Sequence, residues 1–226
     1  MGALTRLQII TEGAMLAGVE PNSVLARARM ELNLWLRSQY DGYLWPFLRR
    51  EKDSIALATG ADNVILGAGV GGISTEIQRI NDPIKIYTSD LTVYDNIRVS
   101  TDWDAGHPAL SDLYSGRPET ARVLADSAVA GKWGIGFSKK ADRDYLLIVS
   151  YYARPAFLGK DDDIPLYPND RTMVQHINAY CLKYRKAENY VDEAKLTQAM
   201  VLEDRLKYGS MPGVNDTLTL DSRIFR

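Results

Sequence analysis

Two prolines, Pro165 and Pro168, divide the second half of this chain into two kinds of structure that cannot be exchanged. Proline has no amide hydrogen and its ring clashes with the preceding helical turn, so a helix has to wait for Asn169-Asp170, which can cap one. From there Met173, Ile177, Tyr180, Tyr184, Ala187, Val191, Ala194, Leu202 and Leu206 recur at helical spacing as far as Tyr208, with Gln198 the one polar member of the stripe. A continuous helix from Arg171 to Tyr208 would be roughly 55 Å long, well beyond an average globular helix. It either breaks near Asn189 or spans several layers of an assembly. Gly209 and Pro212-Gly213 end it, and the stretch to Arg226 is too poor in apolar residues to form an element of its own, so it reads as an extended tail.

Upstream of the elbow the period changes. Between Arg117 and Asp170 the segments RPETARVLA, KWGIGF and DYLLIVSYYARP predict three strands in a meander. The run DYLLIVSYY fits a strand buried on both faces or paired centrally. Earlier, SIALAT, NVILG, IKIYT and NIRVST read as strands joined by turns, and the polar, turn-rich 102–116 as a surface excursion. At the start of the chain Leu4, Leu7, Ile10, Ala14 and Ala17 share one stripe of a helix that stops near Gly18. Pro21-Asn22-Ser23 then begins a second helix, with Val24, Ala28, Leu32, Trp35 and Leu36 on one face. The two are expected to pair as a hairpin. Gly42 and Pro46 stop the second helix, and Tyr43 to Leu48 form an aromatic cluster that is either a core plug or a partner-facing patch.

The expected fold class is therefore α+β. A helical hairpin (1–50) precedes a central antiparallel β-sheet domain (51–168), then a long C-terminal helix (169–208) packs with the N-terminal helices, and an extended partner-binding tail (209–226) follows. The 226 residues, 46% of them hydrophobic, suffice for a real core. With 27 Lys+Arg against 29 Asp+Glu the net charge is -2, which gives no reason to expect a sequence-reading nucleic-acid binder. The longest apolar run, Tyr145 to Ala153, falls far short of the ~20 residues of a membrane helix, and no membrane partner is expected. Leu4 to Val19 carries Arg6, Gln8 and Glu12 where a signal peptide would be apolar, so a cytoplasmic product is expected. The single cysteine, Cys181, allows neither an internal disulfide nor a multi-cysteine zinc site, and reads as a small buried hydrophobe.

The sharpest chemical motif is Gly67-Ala68-Gly69-Val70-Gly71-Gly72. It follows a candidate strand, precedes Ile73 to Ile80, which could open a helix, and lies upstream of Asp90, the order of a dinucleotide fingerprint. The helix would be only about two turns long, and no alternating α and β units follow, so a glycine-rich turn is favoured over a cofactor site. His107 and His176 lack a second histidine at ligand spacing and read as surface or capping residues. Asp161-Asp162-Asp163 lacks the spacing of a calcium loop and reads as a solvated charge run. No catalytic, cofactor-binding or metal-ligating residue is assigned, and enzymatic activity is not expected.

In the order of its elements the chain resembles the head-to-tail adaptor proteins of tailed bacteriophages, also called connector or gatekeeper proteins, which include the tail tubular protein A type. The resemblance lies in LNLWLRSQYDGYLWPFL, GRPETARV, KWGIGFSKKADRDYLLIVSYYARP, AFLGKDDDIPLYPND and the long helix with its polar tail. It implies a virion protein assembled in the host cytoplasm, a ring, usually of about twelve copies, beneath the portal protein. Genomic DNA would pass through without sequence-specific contact, and a tail, nozzle or stopper protein would dock below. The helices would then form lateral ring contacts, the strands would face the next tail protein, and Leu218, Leu220, Ile224 and Phe225 would insert between portal subunits. Trp103, His107, Trp133 and Phe157 are the candidates for a tail-protein or subunit interface. The alternatives are a dinucleotide-binding enzyme using the Gly67–Gly72 loop, and an adaptor with an added peptidoglycan-cleaving activity.

Overall fold

The computed structural model describes residues 4–67, 76–81, 83–88, 94–100, 114–125 and 132–209. These form two compact units, one made of the residues up to Pro46 and from Phe157 onward, the other of Phe47–Ala156. The chain is α+β, as its sequence periods require. None of its described helices is long and apolar enough to cross a membrane.

In the helical unit, α1 (Arg6–Leu16) begins with a capping box in which the Thr5 hydroxyl accepts from the Gln8 amide and the Gln8 side chain accepts from the Thr5 amide. It ends where Gly18 takes a left-handed φ of 64°, so that the Gly18 and Val19 amides reach back to the Met15 and Ala14 carbonyls. Its buried face is Arg6, Ile9, Ile10, Gly13 and Ala14, while Leu7 is exposed, so the stripe is turned slightly from the expected one. The reason is a close approach at Gly13, where a Cβ would lie 2.7 Å from the side chain of Ile177. The helix α2 (Pro21–Gly42) uses Pro21 in its first turn and buries Val24, Ala28, Leu32, Leu36 and Tyr40. At its end Trp45 is fully buried, donates to the Gln39 carbonyl at 3.0 Å and meets the Tyr167 ring edge-on at 5.4 Å. The aromatic cluster is a core plug at this position.

The expected long helix is two helices, α3 (Asp170–Tyr184) and α4 (Tyr190–Tyr208). Of the two alternatives left by the periodicity, the break near Asn189 is the one adopted. Lys186 takes φ 56°, and the Lys186 and Ala187 amides return to the Lys183 and Leu182 carbonyls, a helix stop normally built on glycine. A residue with a Cβ at that position costs about 1 kcal/mol, so something else has to favour the stop. One such contact is Arg185, whose guanidinium donates to the carbonyls of Ala17 and Gly18 and so caps the C-terminus of α1.

The loop from Phe157 to Asn169 belongs to the helical unit, so the boundary falls twelve residues before the expected one at 168. Asp161 is not part of a solvated charge run. Arg6 donates to it at 2.9 Å, and Arg29 donates to both of its oxygens. Asp163 accepts from the Gly159 and Lys160 amides at 2.7 Å each. The loop's own backbone meets α1, since the Asp163 and Asp161 carbonyls accept from the Arg6 and Leu7 amides, donors that a helix start leaves without intrahelical partners. Asn33 on α2 closes the clamp by exchanging two hydrogen bonds with the backbone of Leu158.

The second unit is an eight-stranded sheet with the path β1-β10-β4-β5-β7-β8-β2, plus β3 on β10. Its strands are β1 (Arg49–Leu57), β2 (Asn63–Gly67), β3 (Glu76–Ile80), β4 (Ile84–Thr88), β5 (Tyr94–Ser100), β7 (Thr120–Ala125), β8 (Lys132–Phe137) and β10 (Tyr145–Arg154). A two-stranded piece pairs β6 (Ser115–Gly116) with β9 (Lys140–Ala141). The apolar run β10 is paired on both edges, with β1 on one and with β4 and β3 end to end on the other. Leu147 and Val149 are fully buried in the core beside Ile84, Ile86, Ile97 and Phe137. Two expectations are corrected. The three downstream strands are not a simple meander, because β7 and β8 pair while β10 returns to a distant position in the sheet. Nor is the sheet wholly antiparallel, since β5 and β7 run parallel, which the length of the intervening 101–119 permits.

The clamp at Asp161 makes stability depend on acid. The two guanidiniums, Arg29 first and then Arg6, hold its carboxyl below the usual carboxylate range. A depressed folded-state pKa gives stability that is present above the unfolded value and is lost as pH falls through the folded one. Asp161→Asn should therefore melt below the parent at neutral pH, and the gap should close as pH drops below the ordinary aspartate range. A gap in melting temperature that stays constant from neutral pH into that acid range would contradict the clamp.

Candidate interaction site

Among the described residues the helical unit carries a groove of about 1110 Å³, bordered by α2, α3 and α4, with room for a partner. Its floor is aromatic. Trp35 on α2 stacks on His176 at 4.8 Å between ring centres with 17° between planes, and lies 5.1 Å from the ring of Tyr167. His176 is thus a packed groove residue, not the surface or capping histidine expected, and its Nε2 stands 3.2 Å from the Glu31 carboxylate. That contact, then the charges of His176 and Lys183, lower the pKa of Glu31 against the opposing effect of burial. Tyr180, Tyr184 and Tyr190 continue the apolar lining, and Lys183, Lys186 and Arg205 stand among its residues. Arg205 lies over the Tyr43 ring at 5.3 Å.

The groove exists because α4 folds back across α3, and one buried carboxylate fixes that crossing. Asp204 is 2% exposed and accepts from Tyr167 Oη at 3.1 Å, Asn169 Nδ2 at 2.7 Å and Thr172 Oγ1 at 2.6 Å. All three donors come from the proline elbow or the first turn of α3, where the helix dipole also favours a negative charge. Asn169 serves twice, because its Oδ1 caps the Arg171 amide at 3.1 Å. Burial, and then the Asp204 charge, push the Tyr167 hydroxyl up, so it stays a donor. On the other flank Gln175 donates to the Glu193 carboxylate at 2.6 Å.

This crossing turns α4 relative to the stripe read from sequence. Thr197, Val201 and Asp204 form its buried face, whereas Val191, Leu202 and Leu206 are 42%, 55% and 60% exposed. Cys181, on α3, is fully buried as expected, and burial pushes its thiol up to about 11.

Of the interface residues singled out from sequence, Phe157 and Trp133 lie among the described residues. Phe157, in the loop of the helical unit, is 56% exposed with the Arg37 guanidinium 5.2 Å from its ring centre. Trp133 lies in β8, opposite Leu66 and Ala125. Trp103, His107, Leu218, Leu220, Ile224 and Phe225 lie outside the described residues. Most of the glycine run does too, yet Glu76–Ile80 is strand β3, where a dinucleotide crossover needs a helix, and β2 pairs antiparallel with β8. The groove itself escaped the sequence reading. Its one local signal was the polar Gln198 in an otherwise apolar stripe, which marks where the face meets solvent.

No family model matches the chain, and no curated protein matches its sequence.

Removing the carboxylate that sets the crossing leaves three donors without an acceptor, at about 1–3 kcal/mol for each unsatisfied group. Asp204→Ala should cost on the order of 3 kcal/mol and lower the melting temperature by about 10 °C, with Asp204→Asn costing less. A loss below about 0.5 kcal/mol in chemical denaturation would show that the crossing does not depend on this group.

Proposed function

We propose that this chain is a structural virion protein, a head-to-tail adaptor whose copies form a ring joining the portal protein to the downstream tail protein and surrounding the DNA passage. The observation that supports it most is the outer face of α4. Val191 and Leu206 recur along that helix and stay exposed in the single chain, with Leu196 49% exposed nearby, while Leu202 stands at the edge where this face meets the groove. A helix facing only water carries polar residues there, and repeated exposed leucines mark a surface that another chain covers. Around a ring each copy would cover its neighbour's face, and modest contacts repeated around the circle would add up to a stable collar. The sheet unit, with a rigid core centred on β10, would supply the platform for the next tail protein. The segment from Gly209 to Arg226 holds Leu218, Leu220, Ile224 and Phe225 among polar residues and would insert them between portal subunits. DNA contact in such a collar is sequence-blind, in keeping with a net charge of -2.

Portal rings from the same genome, mixed with the purified chain and imaged by negative stain, test the reading. The expected result is a second collar of density stacked on the portal, lost when 210–226 is deleted and disrupted by Val191→Asp with Leu206→Asp. A stable small dimer with no affinity for portal would overturn it.

A further inference from the structure

The groove on the helical unit, about 1110 Å³ in volume, has room for a short stretch of polypeptide, and its apolar lining does not stand open in water at no cost. We infer that in the free chain it is the docking site for the chain's own segment 214–221, Val-Asn-Asp-Thr-Leu-Thr-Leu-Asp, with Leu218 and Leu220 laid against the aromatic floor. Three observations converge on this occupant.

The first is position. The segment leaves α4 at Gly209, whose amide donates to the Arg205 carbonyl at 2.9 Å, and Arg205 lines the groove. Gly209 sits so close to Tyr43 that a Cβ there would stand 2.1 Å from the Tyr43 hydroxyl, which fixes the point of departure. The second is length and direction. Groove-lining residues of α4 run from Tyr190 to Arg205, a span of roughly 22 Å, so an occupant leaving at Gly209 has to turn back along the helix. Pro212-Gly213 is a turn dipeptide placed directly before the segment. The eight residues that follow extend over about 26 Å, enough to run the length of the groove.

The third is charge. Lys183, Lys186 and Arg205 have no carboxylate within ion-pair distance among the described residues. Segment 214–221 carries Asp216 and Asp221 and no cation, so its leucines are flanked by two negative charges. Alternation does the rest. In an extended segment Leu218 and Leu220 point to one side and Thr217 and Thr219 to the other, so one face meets Trp35, Tyr180 and Val201 while the threonines face water. Tethering through four residues holds the segment at an effective concentration on the order of millimolar, so a weak contact suffices to fill the groove. The inference concerns the free chain and does not rest on the portal reading.

A fluorescent peptide of residues 214–221 is the probe, titrated into the full chain and into a chain ending at Gly209 whose fold is checked by circular dichroism. The peptide should bind the shortened chain saturably, about tenfold or more tighter than the full chain, whose groove is filled by its own copy. Lys183→Glu in the shortened chain should weaken it about fivefold. Full-length chain with Leu218→Asp and Leu220→Asp, which leaves every described residue in place, should bind the peptide like the shortened chain. No binding to either of these two chains, equal binding to the full and shortened chains, or dimerisation of the shortened chain in place of peptide binding would each overturn the assignment.

Discussion

A single carboxylate sets the arrangement of the helical unit. Asp204 is carried into a nearly dry site with no cation paired to it among the described residues, held by three neutral donors and the N-terminal end of α3. Such a site tolerates no half measure, because a charge out of water is stable only when its hydrogen bonds are complete. The geometry that completes them is the one in which α4 has folded back far enough to bring its penultimate turn to the elbow. The stop at Lys186, unfavourable for a residue with a side chain, follows from that requirement together with the cap that Arg185 places on α1. The groove and the exposed outer face of α4 are the two surfaces left by the same crossing.

The elbow has a second anchor of opposite character. Asp161 lies partly in solvent between two arginines, where each ion pair alone would contribute little. What it adds is connection, since Arg6 belongs to α1, Arg29 to α2, and Asp161 to the loop that leads into α3. The loop backbone meanwhile supplies acceptors for the first amides of α1. Stretches far apart in sequence are thereby held in one unit, with the whole sheet unit inserted between them in the chain.

Much of this was legible in the sequence because it depends on short-range rules. The glycine stop at Gly18, the cap at Asn169 and the apolar strand β10 follow from residue type and spacing, and each stands where those rules place it. Readings that needed a distant partner stayed open or went astray. For Glu76–Ile80 the sequence left a short helix open without favouring it, and pairing with β10 makes it a strand. The aspartates 161 to 163 look solvated until Arg6 and Arg29 arrive from the other end of the chain. Through 184–190 the period left a break near Asn189 and an unbroken helix both open, since Ala187 and Val191 keep the helical phase, and the buried acid at Asp204 with the left-handed Lys186 decides for the break. The groove could not be seen at all, because its walls come from three helices and its cations are scattered among oppositely charged neighbours in sequence.

The central claim, that α4 folds back so that Asp204 meets the first turn of α3, is a statement about one distance. Spin labels at the exposed positions Arg171 and Lys207, with the native Cys181 buried and slow to react, measure it directly by electron–electron dipolar spectroscopy. Contact between Thr172 and Asp204 places the two labelled backbones roughly 20 Å apart or less, whereas an unbroken helix would separate them by roughly 54 Å. A narrow distribution near the shorter value is the predicted result, and a dominant population near the longer one would contradict the account.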